Sequence, residues 1–213
     1  MAILNKLSEL ASLGPTRAVR AVGRKLVYRS ARMGRYGFRA GDAIPPVREL
    51  PYAIEIWGPE RFDEILVNND NLTAFDLERF RNQTSSVIVV LDEGQVVASS
   101  WMTRGGVWVT DLQRAIEVPA GEHFSCRSWV SPTHRGQSLF SHMVFHYARS
   151  VPADDEVWGL VYYWNTASVR SLANIGWVLS GDYRCRWVFD RPYFRVERFP
   201  ARPAFEGSGV FVP

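Results

Sequence analysis

Cysteine is scarce in this sequence, since Cys126 and Cys185 are the only two among 213 residues. Two cysteines cannot build a disulfide framework, and so few are typical of a reducing compartment. Long apolar runs are missing as well, because none approaches the roughly 18 residues that a membrane-spanning helix needs. Polar residues near the start, among them Lys6 and Glu9, argue against a secretory signal. We therefore expect a cytoplasmic globular protein whose contact with a membrane, where one exists, is peripheral.

Acidic residues are scarce in the first part of the chain. Residues 1–48 contain ten Lys or Arg but only Glu9 and Asp42 as acids, a net charge of +8. The remainder carries 15 basic and 20 acidic side chains, a net charge of −5. Apolar residues recur at helical spacing in the basic segment until a run of glycines breaks the pattern. We predict a basic, partly helical N-terminal extension at 1–47, one folded domain at 48–200 and an irregular tail at 201–213.

Runs of β-branched and aromatic residues predict the strands of the folded domain. Two such runs meet at Glu93-Gly94, a tight-turn signal, and predict a hairpin. The run at 156–164 is apolar nearly throughout, as expected of a central strand. Strands are predicted at 52–57, 85–92, 95–102, 106–110, 122–130, 156–164, 183–189 and 193–199.

Helical patterns alternate with these strands. They cover about 60–81, the residues that follow Ser138, and 165–177, where Asn165 is a suitable N-cap and Gly176 a C-terminal stop. The order of elements predicts the α/β class, with a mixed sheet that is mostly antiparallel. Its second half contains a parallel strand–helix–strand crossover.

The most informative stretch joins the strand at 122–130 to the helix behind it. It reads Ser-Pro-Thr-His-Arg-Gly-Gln-Ser from Ser131 to Ser138. The first amides of a helix lack intrahelical acceptors and carry partial positive charge, a glycine lets them approach an anion, and an arginine adds a cation. Arg135 to Ser138 therefore predict a phosphate-binding turn. A solvated loop capped by Ser131 or Thr133 is the alternative interpretation.

Two motifs together resemble the GNAT acyltransferase superfamily. One is V-x-P-x-x-R-G-x-[small]-L from Val130, and the other is N-x-x-S-x-x-x-L-x-x-x-G-W from Asn165, so the resemblance covers about 52–189. It implies a GNAT-like fold that uses acetyl-CoA or another acyl-CoA as co-substrate, with no metal. It also implies that the pyrophosphate of CoA binds the turn, that the pantetheine arm follows the preceding strand, and that Asn165 contacts the cofactor. The residues implied for the first two roles are Arg135, Gly136, Gln137, Ser138, Trp129 and Val130.

The sequence departs from the family pattern at three positions. Thr133 replaces the usual Gln or Arg before the glycine, and Ser138 replaces a Gly or Ala after it. Leu172 stands where many members carry the tyrosine that protonates the leaving thiolate. This last departure moves the acid elsewhere or removes catalysis.

Three residues are candidates for catalysis. Simple alternation in the strand at 122–130 places Cys126 and Ser128 on the face of Val130, although a bulge would exchange the faces. Tyr163, beside Tyr162 at the end of the next strand, is a substitute for the missing tyrosine. The resemblance further implies that the N–H of Val130 donates to the thioester carbonyl. For Cys126 an ordinary core position is the alternative.

The favoured function is N-acyltransfer from acyl-CoA, most simply acetyl-CoA, directly to the amine of a small molecule or peptide. Two alternatives stay open: a non-catalytic acyl-CoA-binding or regulatory module, and a transferase that takes its acyl group from an acyl-carrier protein. Trp101 and Trp108 are core residues or line an acceptor groove. The basic extension is expected to dock on its own chain or a homodimer mate, on an acidic carrier protein or on an anionic membrane. Its sparse aromatics disfavour nucleic acid.

Overall fold

A computed structural model describes residues 29–42, 49–66, 72–188 and 191–203. The strands are β1 (Arg29–Arg39), β2 (Ala53–Trp57), β3 (Thr84–Asp92), β4 (Gln95–Val109), β5 (Arg114–Val118), β6 (Glu122–Val130), β7 (Glu156–Tyr162), β8 (Val178–Val188) and β9 (Arg191–Pro203). The helices are α1 (Asp63–Leu66), α2 (Ala74–Arg81), α3 (Leu139–Ala148) and α4 (Thr166–Asn174). Short 3-10 turns cover Pro59–Arg61, Thr110–Leu112 and Pro132–His134.

The strands form one sheet in the order β2-β3-β4-β6-β7-β1-β8-β9, and β5 pairs with the end of β4. Neighbours are antiparallel except β6 and β7, which are parallel and are joined through α3. The predicted α/β class, the mixed sheet and the parallel strand–helix–strand crossover are confirmed. The hairpin at Glu93-Gly94 is confirmed too, with both residues at positive φ.

Apolar side chains pack on both faces of the sheet. The first face carries α3 and α4, and its cluster includes Met143, Leu172 and Trp177. The other face carries a cluster around Met33 and Trp158 beneath β5, and a third cluster beneath α1 and α2. Trp101 lies fully buried in this third cluster, so it is a core residue.

Strand β1 corrects the interpretation of the basic segment. Residues 29–39 are a strand inserted between β7 and β8, not the continuation of a helix, so part of the predicted extension belongs to the sheet. Gly37 makes the insertion sterically possible, because a Cβ there would lie 2.7 Å from the Cβ of Trp158 and 2.8 Å from the carbonyl oxygen of Val157. Strand β9 likewise continues into the predicted tail, to Pro203. The remaining domain assignments, at 1–28, 43–48 and 204–213, lie outside the described residues.

Local signals explain two of the helix starts. Thr73 and Asp76 form a capping box at α2, in which each side chain accepts from the other residue's amide. The predicted N-cap of α4 is confirmed, because Asn165 accepts a hydrogen bond from the amide of Ser168 at 3.2 Å. Gly176 ends this helix at φ +83°, as predicted.

No helix within the described ranges combines the length and the apolar character that crossing a bilayer would require.

Candidate active site

Strands β6 and β7 are paired at one end and separate at the other. Their ladder runs from Glu122 opposite Glu156 to Ser125 opposite Gly159. Beyond this point, among the described residues, β6 pairs only with β4 and β7 only with β1. A cavity of about 420 Å³, here called the splay cavity, lies between the separated ends.

The splay cavity connects the two faces of the sheet. Its lining includes Leu172 and Trp177 from the cluster under α3 and α4, and Met33 from the cluster on the opposite face. A ligand can therefore enter from the helical side and meet a second ligand from the other side. The polar residues of the lining include Asp111, Ser125, Arg127, Ser128, Tyr162 and Asn165.

Buried charges hold the closed end together. Arg35 is 2% exposed and donates to Glu122 at 2.9 Å and to Glu156, so one guanidinium joins the first residues of both strands. Burial alone would raise the pKa of Glu122, but hydrogen bonds from Arg198 and Arg35 outweigh it and hold this pKa below its usual value. Each carboxylate is thus matched by a cation.

His123 belongs to this closed end and not to the cavity. It is buried, and its ring nitrogens lie 2.9 Å from the Tyr147 hydroxyl and 2.7 Å from Asp155. Both contacts lie on the side of α3. We assign His123 to fixing this helix against the sheet.

The turn before α3 has an unusual backbone. Pro132–His134 form a 3-10 turn, Gly136 has φ +80°, and Ser138 has φ +59° just before α3 begins at Leu139. Ser138 gives no side-chain cap to the helix. Among the described residues, no group accepts a hydrogen bond from the amides of residues 136–141. The free donors that the sequence analysis required at this turn are therefore present.

A smaller cavity of about 240 Å³ lies against this turn. Its lining includes Arg135, Gly136 and Ser138, and it shares Val130 and Phe140 with the splay cavity. The turn and the gap between the strands thus form one continuous site. No acceptor other than the Val130 carbonyl, at 3.4 Å, is found within the described chain for the exposed Arg135 side chain.

Residues outside the turn hold it in place. The Tyr52 hydroxyl donates to Oε1 of Gln137 at 2.9 Å, and Nε2 of His134 lies 3.1 Å from Asp92. Gln137 therefore offers an anion its amide N–H, not its side-chain oxygen. Sequence reasoning missed these supports, because Tyr52 and Asp92 are far from the turn in the chain and belong to no motif.

A bulge in β6 overturns the alternation predicted for Cys126. Trp101 pairs with Cys126 and Ser99 with Trp129, so Arg127 and Ser128 both stand opposite Ser100. Arg127 takes the left-handed conformation, φ +49°, at the bulge.

The bulge moves Cys126, but not Ser128, away from the face of Val130. Cys126 packs against the clusters on the face opposite α3, whereas Val130 packs against the cluster under α3. The prediction that Cys126 shares a face with Val130 is therefore wrong. Desolvation raises the pKa of the Cys126 thiol to about 12, although Arg79 and Arg127 act in the other direction. A thiol with this pKa is almost fully protonated at neutral pH and is a poor nucleophile.

Ser128 keeps the position that the alternation gave it. Its hydroxyl lies 2.8 Å from that of Ser100, which in turn lies 3.2 Å from that of Ser125. Ser125 and Ser128 both line the splay cavity. These three hydroxyls form a chain that can pass a proton.

The other predicted site residues divide between the cavity and its surroundings. Val130 and Asn165 line the splay cavity, whereas Trp129 and Tyr163 are absent from the described linings of this cavity and of the smaller cavity at the turn before α3. Tyr163 packs on the cluster under α3, with the guanidinium of Arg32 4.6 Å from its ring centre. Tyr162 does line the cavity. Of the two tyrosines considered from the sequence, Tyr162 is therefore the better placed.

Leu172 faces the splay cavity from α4 and is buried. The position at which the family resemblance implies a tyrosine thus points at the site, but its side chain carries no proton donor.

A third cavity, here called the outer cavity, measures about 250 Å³ and lies beyond the gap. Its lining includes Arg79, Trp108, Asp111 and Arg127. It shares six residues with the splay cavity: Met33, Asp111, Ser125, Cys126, Arg127 and Leu160. The sequence indicates Trp108 as one candidate for an acceptor groove, whereas Asp111, Arg79 and Arg127 lie in no recognisable motif and give no such signal. In the described ranges no three candidate ligands gather into a metal site.

No family model matches this sequence, and neither does any curated protein. Solved structures do resemble its fold. A functionally unknown conserved protein from Staphylococcus epidermidis aligns over 87% of this chain and 68% of its own, with 11% identity and a TM-score of 0.54. A tandem GNAT protein from the clavulanic acid biosynthesis pathway aligns over 86% of this chain and 58% of its own, with 15% identity and a TM-score of 0.50.

A third neighbour is the GCN5-related glucosamine N-acetyltransferase region of a fungal multi-domain β-N-acetylglucosaminidase. It aligns over 80% of this chain and 22% of its own, with 13% identity and a TM-score of 0.51. This chain therefore spans only part of the length of these neighbours, and identities this low show likeness of fold alone. The protein has the fold of the GCN5-related N-acetyltransferases.

Proposed function

We propose that this protein is an acyltransferase that moves an acyl group, most simply acetyl, from acyl-CoA to an amine. The observation that carries the proposal is the continuity of two features: amides without acceptors at the mouth of α3, and a cavity between the separated ends of β6 and β7. An elongated ligand with an anionic head and a narrow tail fits this arrangement.

The residues at each part of the site suit CoA. The amides of 136–141 and the exposed Arg135 would hold the pyrophosphate, since helix N-termini favour anions. Val130 and the nearby edge of β7 would border the pantetheine arm. Asn165 uses Oδ1 to cap α4, which leaves its Nδ2 donors for the ligand.

Direct transfer is favoured over a covalent enzyme intermediate. The amine nitrogen attacks the thioester carbonyl carbon, the C–S bond breaks, and sulfur leaves with the electron pair. The amine gives up one proton and the thiolate takes up one, so an amide and free CoA thiol result. Cys126 is unsuited to an intermediate because its high pKa keeps the thiol protonated.

Proton transfer is assigned to hydroxyls that line the splay cavity. Tyr162 and Ser128 both line it, and Ser128 continues into the chain formed by Ser100 and Ser125. Leu172 cannot take this part. A thiol is already a fair leaving group, so a modest proton donor suffices.

A non-catalytic CoA-binding module is the second candidate, and Leu172 favours it. Such a protein would keep the site and lack the tyrosine acid implied by the family resemblance. Turnover separates the two candidates: an enzyme releases free thiol from acetyl-CoA when an amine is added, and a module does not.

Calorimetric titration with CoA tests the proposal. We expect saturable binding that weakens at least tenfold for Arg135→Ala and for pantetheine, which lacks the pyrophosphate. Arg186→Ala, a change at another exposed arginine on β8, serves as the matched control and leaves the affinity unchanged. Absence of saturable CoA binding would reject the proposal and leave an acyl-carrier protein as the donor to test.

A further inference from the structure

The outer cavity faces the splay cavity across the junction of the two, on the opposite side from the phosphate-binding turn. Asp111 and Arg127 line both cavities, whereas Arg79 and Trp108 line only the outer one. A molecule in the outer cavity can thus extend an amine into the gap between β6 and β7. Its volume of about 250 Å³ lies below the range of roughly 300–1,000 Å³ for drug-sized ligands. A volume of this size is suited to a small molecule.

Two arginines give one wall of the outer cavity a surplus of positive charge. Arg127 and Arg79 approach the same oxygen, Oδ1 of Asp76, at 3.1 and 3.8 Å. One carboxylate therefore serves two guanidinium groups. The Arg127 side chain is 38% exposed, so its guanidinium keeps N–H donors that a carboxylate from a ligand can reach. Arg79 adds positive charge to the same wall.

The other wall is suited to a cation. Asp111 lies in the 3-10 turn after β4, and within the described chain no cation or hydrogen-bond donor is paired with its carboxylate. Trp108 lines the outer cavity too and is 45% exposed, and an indole face attracts ammonium groups. Because Asp111 also lines the splay cavity, an ammonium held there stands at the junction, where an acceptor amine must be.

We propose that the acyl acceptor is a zwitterion of amino-acid size, with its amine at Asp111 and Trp108 and its carboxylate at Arg79 and Arg127. This inference rests on the proposed acyltransferase function and adds the class of its acceptor. A polyamine would bring positive charge towards two arginines. An acceptor without charge would leave Asp111 and the surplus guanidinium unmatched.

Thiol release from acetyl-CoA is measured with the twenty common amino acids, and each one that reacts is compared with its methyl ester. The ester keeps the amine and loses the carboxylate. At pH 8 it also holds more of its amine in the neutral, nucleophilic form, so amine ionisation favours the ester. We nevertheless expect kcat/KM to be at least about tenfold higher for the acid, because it alone pairs with the arginines.

Variants locate the preference in the outer cavity. Arg127→Asn suits the left-handed backbone at this position and is expected to raise KM for the acid about tenfold while the ester is unaffected. Asp111→Asn is expected to raise KM for the acid and for the ester alike, because both carry the amine. Arg104→Met and Glu117→Gln, at exposed positions on β4 and β5 that line neither cavity, serve as controls.

Direct binding keeps this test separate from the proposed function. Calorimetry with the amino acids alone reports on the outer cavity without any thioester. Amino-acid binding that Arg127→Asn weakens, in a protein that does not bind CoA, would support the acceptor site and reject the acyl-CoA donor. Two results would overturn the acceptor class and leave the CoA site unaffected. In the first, the protein binds CoA and acetylates methyl esters as efficiently as the amino acids. In the second, it binds CoA, but no amino acid either binds or reacts.

Discussion

Strands β6 and β7 lie side by side from Glu122 to Ser125 and separate from Cys126 onward, so one pair of strands has a closed end and an open end. At the closed end Arg35 joins the two strands through Glu122 and Glu156. At the open end the residues of both strands line the splay cavity, and a bulge in β6 places Arg127 at φ +49°.

The comparison separates residues that stabilise the fold from residues that offer binding groups. At the closed end the charged groups of Glu122 and Glu156 are paired with Arg35, although Nε of Arg35 itself has no acceptor among the described residues. At the open end, by contrast, a whole run of backbone amides, those of 136–141, has no acceptor among the described residues. Unmatched donors around a cavity are suited to a ligand, so the open end is where function is expected.

The largest effect should come from breaking the closed end. Arg35→Met leaves the half-buried Glu156 without its cation and Glu122 with Arg198 alone, and we expect a loss of about 3 kcal/mol in the free energy of unfolding. Denaturant unfolding measures this loss. Arg81→Met removes an exposed pair with Asp63 and should cost less than about 1 kcal/mol. Equal losses for the two variants would contradict the role assigned to Arg35.

Gly136→Ala should affect the open end more than the fold. An alanine at φ +80° is strained by about 1 kcal/mol, and the turn must shift to relieve it. We expect CoA affinity to fall about tenfold while the protein stays folded, as calorimetry and thermal unfolding can show. Gly106→Ala, at a glycine with open space and no left-handed φ, is the control. Unchanged CoA affinity in Gly136→Ala would separate the turn from binding.

The closed end should also give a smaller, pH-dependent effect. The pKa of Glu122 in the folded protein lies below its usual value of 4.5, so its ionised form stabilises the fold above that pH. This contribution is lost as the pH falls through the lower, folded pKa. The difference in unfolding free energy between the wild type and Glu122→Gln should therefore shrink as the pH is lowered from about 6 to values below 4.5. A difference that stays constant over this range would contradict the ion-pair account.

The smallest effect is expected at Cys126. With a pKa of about 12, the thiol is protonated during turnover, so Cys126→Ala should leave kcat/KM within about twofold. Alkylation of Cys126 by iodoacetamide should be slow at pH 7.5 and rise about tenfold per pH unit. Fast labelling that levels off near pH 8, or loss of turnover in the alanine variant, would restore Cys126 as a nucleophile.

Local signals in the sequence were sufficient for most of the fold. The Glu93-Gly94 turn, the Asn165 cap and the crossover through α3 each depend on residues close together in the chain, and each is confirmed. Strand β1 was not predicted from local signals. Its arginines resemble the polar face of a helix. The two residues that pair with Arg35 are Glu122 and Glu156, which come 87 and 121 residues later in the chain.

The site was predictable in part for the same reason. The turn carries its own signal in Arg135 and Gly136, which are adjacent. The bulge at Arg127 has no such signal, although it moves Cys126 to the other face of the sheet. Asp111 and Arg79 come together with Arg127 only after the sheet forms. Pairings of this kind depend on topology, and a single sequence does not display them.

Amide chemical shifts of the ¹⁵N-labelled protein test the central claim most directly. On titration with CoA, and with inorganic pyrophosphate alone, the account predicts large shifts for the amides of Gly136, Gln137 and Ser138. The amides of His123 and Val157, at the closed end, should move little. The account would be contradicted if the chemical shifts of the closed-end amides changed while those of the turn did not, or if no amide shifted.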